Sequence, residues 1–219
     1  MTPQPIVIYG VGSPIAIDAE ETCLRLRRRI AAGVRNMEGP SYVSTKVTVV
    51  GVADAGYEVK RCEIVLPMFT PAHRATARQD AEKRGFGSLA TLVDPTSAVA
   101  SSALIGAGVY INAGCTIGGA ASLGELVFVN RGAILGHHAV LEALVSIGPG
   151  ANIAGSVHIG RGAVIGAGAI VLPKIEIGAN AVIGAGAVVT KPVPPNSMAV
   201  GNPAQIVRTN IAGFNDLGV

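Results

Sequence analysis

The sequence predicts a small α/β unit over residues 1–95, a parallel β-helix over 96–193, and a turn and tail over 194–219. Three observations predict it. An aliphatic residue recurs every six positions from Val99 to Val189 without a gap, sixteen times in all. Twenty-one of the 29 glycines lie beyond residue 95, many directly after the aliphatic residue. Before residue 95, short β-rich runs alternate with helix-like segments.

A six-residue repeat cannot bury its apolar face alone, so neighbouring repeats must stack. The series runs Val99, Ile105, Ile111, Ile117, Leu123 and onward, and a second small or apolar residue follows each member by four, as at Val109, Cys115, Ala121 and Val127. Both positions are expected to point inward. Gly106, Gly118, Gly124, Gly136 and Gly148 are expected at tight corners, where glycine accepts a positive φ. Three hexads close a triangular coil, so sixteen make a little over five coils. At ~4.8 Å per coil the prism is roughly 25 Å tall. A helix needs apolar recurrence near every 3.6 residues and tolerates glycine poorly, which excludes it here. No apolar run approaches the ~18 residues of a membrane span.

Composition narrows the function. Net charge is +3 and only 14% of residues are charged, which argues against nucleic acid as a partner. Residues 1–95 carry twelve Lys/Arg and ten Asp/Glu, against five and four in residues 96–219. So few charges to solvate the repeats suggest that another subunit covers one face. Cys23, Cys62 and Cys115 show neither metal nor disulfide spacing, which fits a reducing cytoplasm. No signal peptide is expected at the N-terminus.

In the first unit, residues 5–12 read as a buried strand entering a glycine turn, and residues 17–35 as a helix whose basic run Arg25, Arg27, Arg28 and Arg29 mostly faces water. Further strands are expected over Lys46–Ala53, Glu63–Leu66 and Leu89–Val93, with a helix from Pro71 to Arg84. This alternation implies an open, Rossmann-like α/β sheet. Strand, Gly10-Val11-Gly12 and helix form a partial phosphate-binding turn, in which free N–H groups at a helix start meet an anion. The third glycine is missing, and a plain tight turn explains the same residues. Asp54 ends the second strand, where an acid can bind a ribose or base or simply face water.

Together the two parts resemble the bacterial sugar acyltransferases of the NeuD/PglD type, within the left-handed β-helix, hexapeptide-repeat superfamily. The strand Ile6–Gly12, the stretch Phe86–Pro95, the hexads and the ending from Val193 to Ala204 (VPPNSMAVGNPA) carry the resemblance. It implies a left-handed prism, a homotrimer, acyl-CoA in a groove between adjacent prisms, and a nucleotide-linked sugar held by the N-terminal unit. The implied reaction moves an acyl group, most often acetyl, from coenzyme A to a sugar amine or hydroxyl, without a metal.

His137 follows Leu135-Gly136 and so falls at a corner; it matches the family's general base. A base must take a proton as the acceptor attacks the thioester, and histidine titrates near neutrality. His138 stands where the family usually has an acid that orients the base. Either another carboxylate substitutes, with Glu142 a nearby candidate, or the base is weaker, or activity is partly lost. Asn130 matches an acceptor-contacting position, or is a turn residue bonding its own backbone. Ser146 matches a polar position near the acyl group. Gly155, Ala167 and Ala185 match backbone contacts to coenzyme A, and Lys191, Pro203 and Arg208 lie where its nucleotide end is expected.

Three other readings compete. A metal-dependent hydratase of the γ-type carbonic anhydrase kind needs three converging histidines, and His73, His137, His138 and His158 differ in position or hexad phase. A non-catalytic β-helix scaffold would explain His138 and the incomplete glycine turn. Acyl transfer to a small non-nucleotide acceptor would explain the glycine turn alone.

Overall fold

A computed structural model describes residues 4–219. Strands β1 (Ile6–Tyr9), β2 (Ile30–Arg35), β3 (Val49–Gly51) and β4 (Glu63–Val65) form one parallel sheet in the order β3-β2-β1-β4. Helices α1 (Ala16–Arg25), α2 (Tyr57–Lys60) and α3 (Pro71–Lys83) connect and cover it. The central strand β1 is buried throughout, because both of its faces are covered. Ile6 and Ile8 pack with Ala16, Ala19 and Cys23 of α1, whereas Val7 and Tyr9 pack with Ala77 and Ala81 of α3.

The helix expected over 17–35 ends early. It stops at Arg25, Arg27 turns the chain at φ 53, and β2 follows. Ile30 and Val34 are four apart, a spacing that fits a helix face and a strand face equally well. Tertiary packing decides: β2 lies between β1 and β3, and a β-carbon on Gly33 would sit 2.7 Å from Val11. The basic run is also less free than expected, since Arg25 pairs with Asp94 at 2.7 Å and Arg28 pairs with Glu63.

The hexads form a three-faced parallel β-helix. Each two-residue strand pairs with the strand eighteen residues on, as Phe128–Val129 does with Ser146–Ile147. The first face runs from Leu92–Val93 through Tyr110–Ile111, Phe128–Val129 and Val182–Ile183 to Met198–Val200. The second face contains Ile134–Leu135 and Val188–Val189, and the third contains Val140–Leu141 and His158–Ile159. Val93 extends the aliphatic series back by one hexad. Inside, the aliphatic residue and the one four later form a continuous core, from Val109 and Ile111 to Ala187 and Val189.

The corner glycines serve a different purpose from the one expected. Positive φ falls on the third residue after the aliphatic one, at Gly108, Gly114 and Gly132 and equally at Ala120, Leu126 and His138. The glycine directly after the aliphatic residue is required by space. A β-carbon on Gly136 would meet the backbone of Ala154 and Gly155 at 2.6 Å, and one on Gly148 would meet Ala167 at 2.6 Å. Coils stacked at strand spacing leave no room for it.

The α/β unit packs on the first face. Outward-pointing Tyr110 and Phe128 are buried with Ile6, Ile8 and α1, while Leu126 and Leu144 join Val7, Tyr9 and α3. Beyond Val200, strand Gln205–Arg208 pairs antiparallel with Met198–Val200. The tail then returns along the prism: Ile211 N–H bonds Asn196 O at 3.0 Å, and Val219 N–H reaches Asn180 Oδ1 at 3.3 Å. Among the described residues, no helix is long and apolar enough to cross a membrane.

Candidate active site

His137 lies at the corner between the second and third faces. Leu135 and Ala139 point into the core, so the intervening turn must project His137 and His138 outward, and both are exposed. The corner is tied to its neighbours by backbone bonds, from His138 N–H to Gly119 O and from Ser156 N–H to His137 O, both 2.9 Å. The ring of His137 lies over Gly155, where a β-carbon would come 2.6 Å from Cε1 and Nε2. Gly155, matched on sequence to coenzyme A, therefore also makes space for the imidazole.

His138 has φ 57, a left-handed conformation in which histidine is enriched. Its Nδ1 lies 3.1 Å from Nδ1 of His137, with the rings edge to face at 83°. Glu142 does not take the acid's place. It lies at the next corner, where its carboxylate accepts from Arg161 N–H at 2.8 Å and faces His158 Nε2 at 3.2 Å.

A groove of about 400 Å³ lies along the outer side of the first face and its corner with the second. Val164, Val182 and Met198 form its floor, Ala167 and Ala185 its small-residue corner, and Asn130 and Pro149 its end. Phe69, from the loop before α3, and Phe214, from the tail, wall it with ring centroids 5.8 Å apart. Asn130, Ala167 and Ala185 are thus brought together. Neither aromatic wall is legible in the sequence, although Phe69 and Phe214 are two of only four phenylalanines.

Asn130 has a defined orientation. Its Oδ1 accepts from Arg131 N–H at 2.8 Å and from Asn112 Nδ2 at 3.4 Å. Asn112 Nδ2 also donates to Asp18 of α1 at 3.2 Å, and Arg131 pairs with the same carboxylate. Oδ1 is thus occupied from both sides, and the amide nitrogen has no hydrogen-bond partner among the described residues.

Ser146 is not polar lining of an open site. It is fully buried at the junction of the two units, where its hydroxyl donates to Phe69 O at 2.6 Å and accepts from Arg74 Nη2 at 2.9 Å. Arg74 is 1% exposed and donates to the carbonyls of Met68, Phe69, Leu126, Leu144 and Val145. Burial pulls its guanidinium pKa down, though not far enough to discharge it at neutral pH. Arg74 thereby holds the loop whose Met68 packs against Gly10 and whose Phe69 walls the groove.

Gly10, Gly12 and Asp54 lie at the carboxyl ends of the parallel strands, the usual ligand side of an open α/β sheet. Gly10 needs its glycine twice over, with φ 92 and a hypothetical β-carbon 2.0 Å from Met68 Cε. Gly12 and Asp54 are exposed there. Lys191 projects from the His137 corner three coils further along, whereas Pro203 and Arg208 belong to the exposed end of the prism. His137, Gly155 and Lys191 therefore share one corner, and Asn130, Ala167 and Ala185 another.

Several known proteins resemble this chain. The family model described as bacterial transferase hexapeptide (six repeats) matches residues 156–191. No curated protein matches the chain. Among solved structures, PerB from Caulobacter crescentus in complex with CoA and GDP-perosamine is 30% identical, with a TM-score of 0.82, and the match covers 93% of this chain and 97% of that one. The acetyltransferase domain of PglB from Neisseria gonorrhoeae FA1090 in complex with acetyl coenzyme A is 26% identical, with a TM-score of 0.82 and coverage of 93% and 99%. WeeI from Acinetobacter baumannii AYE, 21% identical with a TM-score of 0.72 and coverage of 94% and 100%, shares the fold. With its α/β unit, gapless hexads and corner histidine, the chain belongs to the left-handed β-helix, hexapeptide-repeat sugar acyltransferases, which use acyl-CoA as co-substrate.

Proposed function

We propose that this protein moves an acetyl group from acetyl-CoA to an amine or hydroxyl of a nucleotide-linked sugar, with His137 as general base. The observation that carries this reading is the exposed ring of His137, projected from the prism corner over Gly155, with Nδ1 against His138 and no hydrogen bond at Nε2 among the described residues. As the acceptor nitrogen or oxygen attacks the thioester carbonyl, His137 Nε2 takes its proton. The new C–N or C–O bond forms as the C–S bond breaks, and the proton passes to the departing thiolate. The slender apolar groove beside Ala167 and Ala185 suits a pantetheine arm, and Asn130 Nδ2 at its end suits a carbonyl or hydroxyl oxygen.

The site is completed between copies. His137 and the groove sit at different corners of one prism, so bringing them together calls for a second copy, and a homotrimer closes this arrangement symmetrically. The nucleotide binds at Gly10, Gly12 and Asp54, with Lys191, Pro203 and Arg208 toward the nucleotide end of coenzyme A. Three free buried cysteines fit a cytoplasmic protein.

The test is thiol release from acetyl-CoA by the purified protein with a panel of UDP-, GDP- and dTDP-linked amino-sugars and sugars, alongside thermal-shift measurements. His137→Ala is expected to lower turnover about 10²–10⁴-fold while the oligomer persists in sedimentation. Full rate in that variant would remove the general-base assignment. Turnover without stabilisation by any nucleotide sugar would redirect the acceptor to a small non-nucleotide molecule. Absence of both turnover and coenzyme A binding would leave a scaffold.

A further inference from the structure

We infer that His138 is a positioning residue that takes over the task of the acid usually found at its position, by accepting a hydrogen bond at Nδ1 from Nδ1–H of His137. This rests on the reading of His137 as base.

The geometry leaves few choices. The two Nδ1 atoms are 3.1 Å apart, so one carries the proton and the other accepts it. If His138 donated, His137 would hold its proton on Nε2 and could not act there as a base. If His138 accepts, Nδ1 of His137 is protonated and the lone pair is on Nε2, which has no hydrogen-bond partner among the described residues. The second arrangement matches the chemistry. It needs His138 neutral, with its own proton on Nε2.

Backbone conformation favours this partner. Position 138 lies in the left-handed region at φ 57, and its N–H is bound to Gly119 O, so the side chain is held beside its neighbour. Among the described residues, no other titratable side chain hydrogen-bonds either ring. The same corner of the preceding coil carries Gly118, Gly119 and Ala120, and the following coil carries Ala154, Gly155 and Ser156. Glu142, the carboxylate expected to substitute, is held by Arg161 N–H and His158.

A neutral acceptor fixes the tautomer as an acid does, without adding a negative charge to the imidazolium formed during proton transfer. A proton on Nδ1 of His138 removes the acceptor, so the arrangement requires that nitrogen to keep its lone pair. The arrangement therefore supplies orientation and tautomer selection rather than electrostatic strengthening of the base.

Four substitutions test the assignment. Asn carries Oδ1 in nearly the place of histidine Nδ1 and accepts the left-handed backbone; Gly accepts the backbone but offers no acceptor; Ala offers neither. His138→Asn is expected to keep kcat within about threefold of wild type, whereas His138→Gly and His138→Ala lower it at least about tenfold, with KM for acetyl-CoA unchanged. His138→Asp is expected to keep activity but move the acidic limb of the kcat/KM profile to higher pH, because an anion favours the protonated base. Nitrogen-15 NMR of the wild-type protein is expected to find the His137 proton on Nδ1. Equal rates in the Asn and Gly variants, or a His137 proton on Nε2, would overturn the proposal. An unchanged rate in His137→Ala would instead remove the reading beneath it.

Discussion

The imidazole of His137 fills the space that a β-carbon on Gly155 would take, eighteen residues ahead at the same corner of the next coil. Gly155 does not have a positive φ, so alanine suits its backbone and only the ring must move. Gly155→Ala is therefore expected to lower kcat about 10–100-fold by displacing His137, with the melting temperature nearly unchanged. Steady-state kinetics beside thermal unfolding checks this. An unaffected kcat would mean that the ring works from another rotamer.

The groove makes a separate prediction. Ala167 is exposed at its corner, and its neighbours Val164 and Val182 leave a narrow apolar channel. Ala167→Phe is expected to raise KM for acetyl-CoA at least about tenfold while kcat at saturation changes little. An unchanged KM would place the pantetheine arm elsewhere.

Arg74 joins α3, the Met68–Phe69 loop and two coils of the prism through carbonyl oxygens, with no carboxylate among its hydrogen-bond partners. Arg74→Met removes every donor at once and leaves those carbonyls buried. The expected cost is about 3 kcal/mol, read from urea unfolding, with Arg74→Lys intermediate. An unshifted midpoint would mean that water or a local rearrangement satisfies the same carbonyls.

Asp94 ties α1 to the first coil. Burial works to raise its carboxyl, but bonds from the hydroxyl and N–H of Thr96, from Arg25 and from Thr22 outweigh it and bring the pKa from the ordinary 3.8 to about 2. A carboxyl held lower in the folded state binds fewer protons there than when unfolded. Its contribution, about 2 kcal/mol, is thus present above pH 4 and is lost as pH falls through about 2. Asp94→Asn is expected to flatten the acid limb of the stability profile, measured by denaturant unfolding between pH 6 and 2. An identical limb would place acid sensitivity in other carboxylates.

The repeat was legible because its cause is local. Every sixth residue must point inward, so Val99 to Val189 announces the prism, and the phase of Leu135 alone projects His137 outward. The boundary of α1 was less legible, since Ile30 and Val34 satisfy two periods and only the gap between β1 and β3 chooses one. Ser146 illustrates the limit most clearly: its phase made it outward-pointing, but an outward position becomes an interface when another unit lies on that face. Glu142 was near in sequence and remote in function, because a corner of the prism separates it from His137.

By itself the sequence determined the coiled architecture, the inward core, the outward histidine and the family, since each follows from short-range periodicity or a contiguous motif. Tertiary structure decided what touches what. It laid the His137 ring on Gly155, set Nδ1 of His138 3.1 Å from Nδ1 of His137, buried Ser146 under Arg74, and set Phe69 against Phe214 across 145 residues of chain. Those contacts join residues from different coils or different units, and side-chain periodicity carries no information about which unit comes to rest on which face.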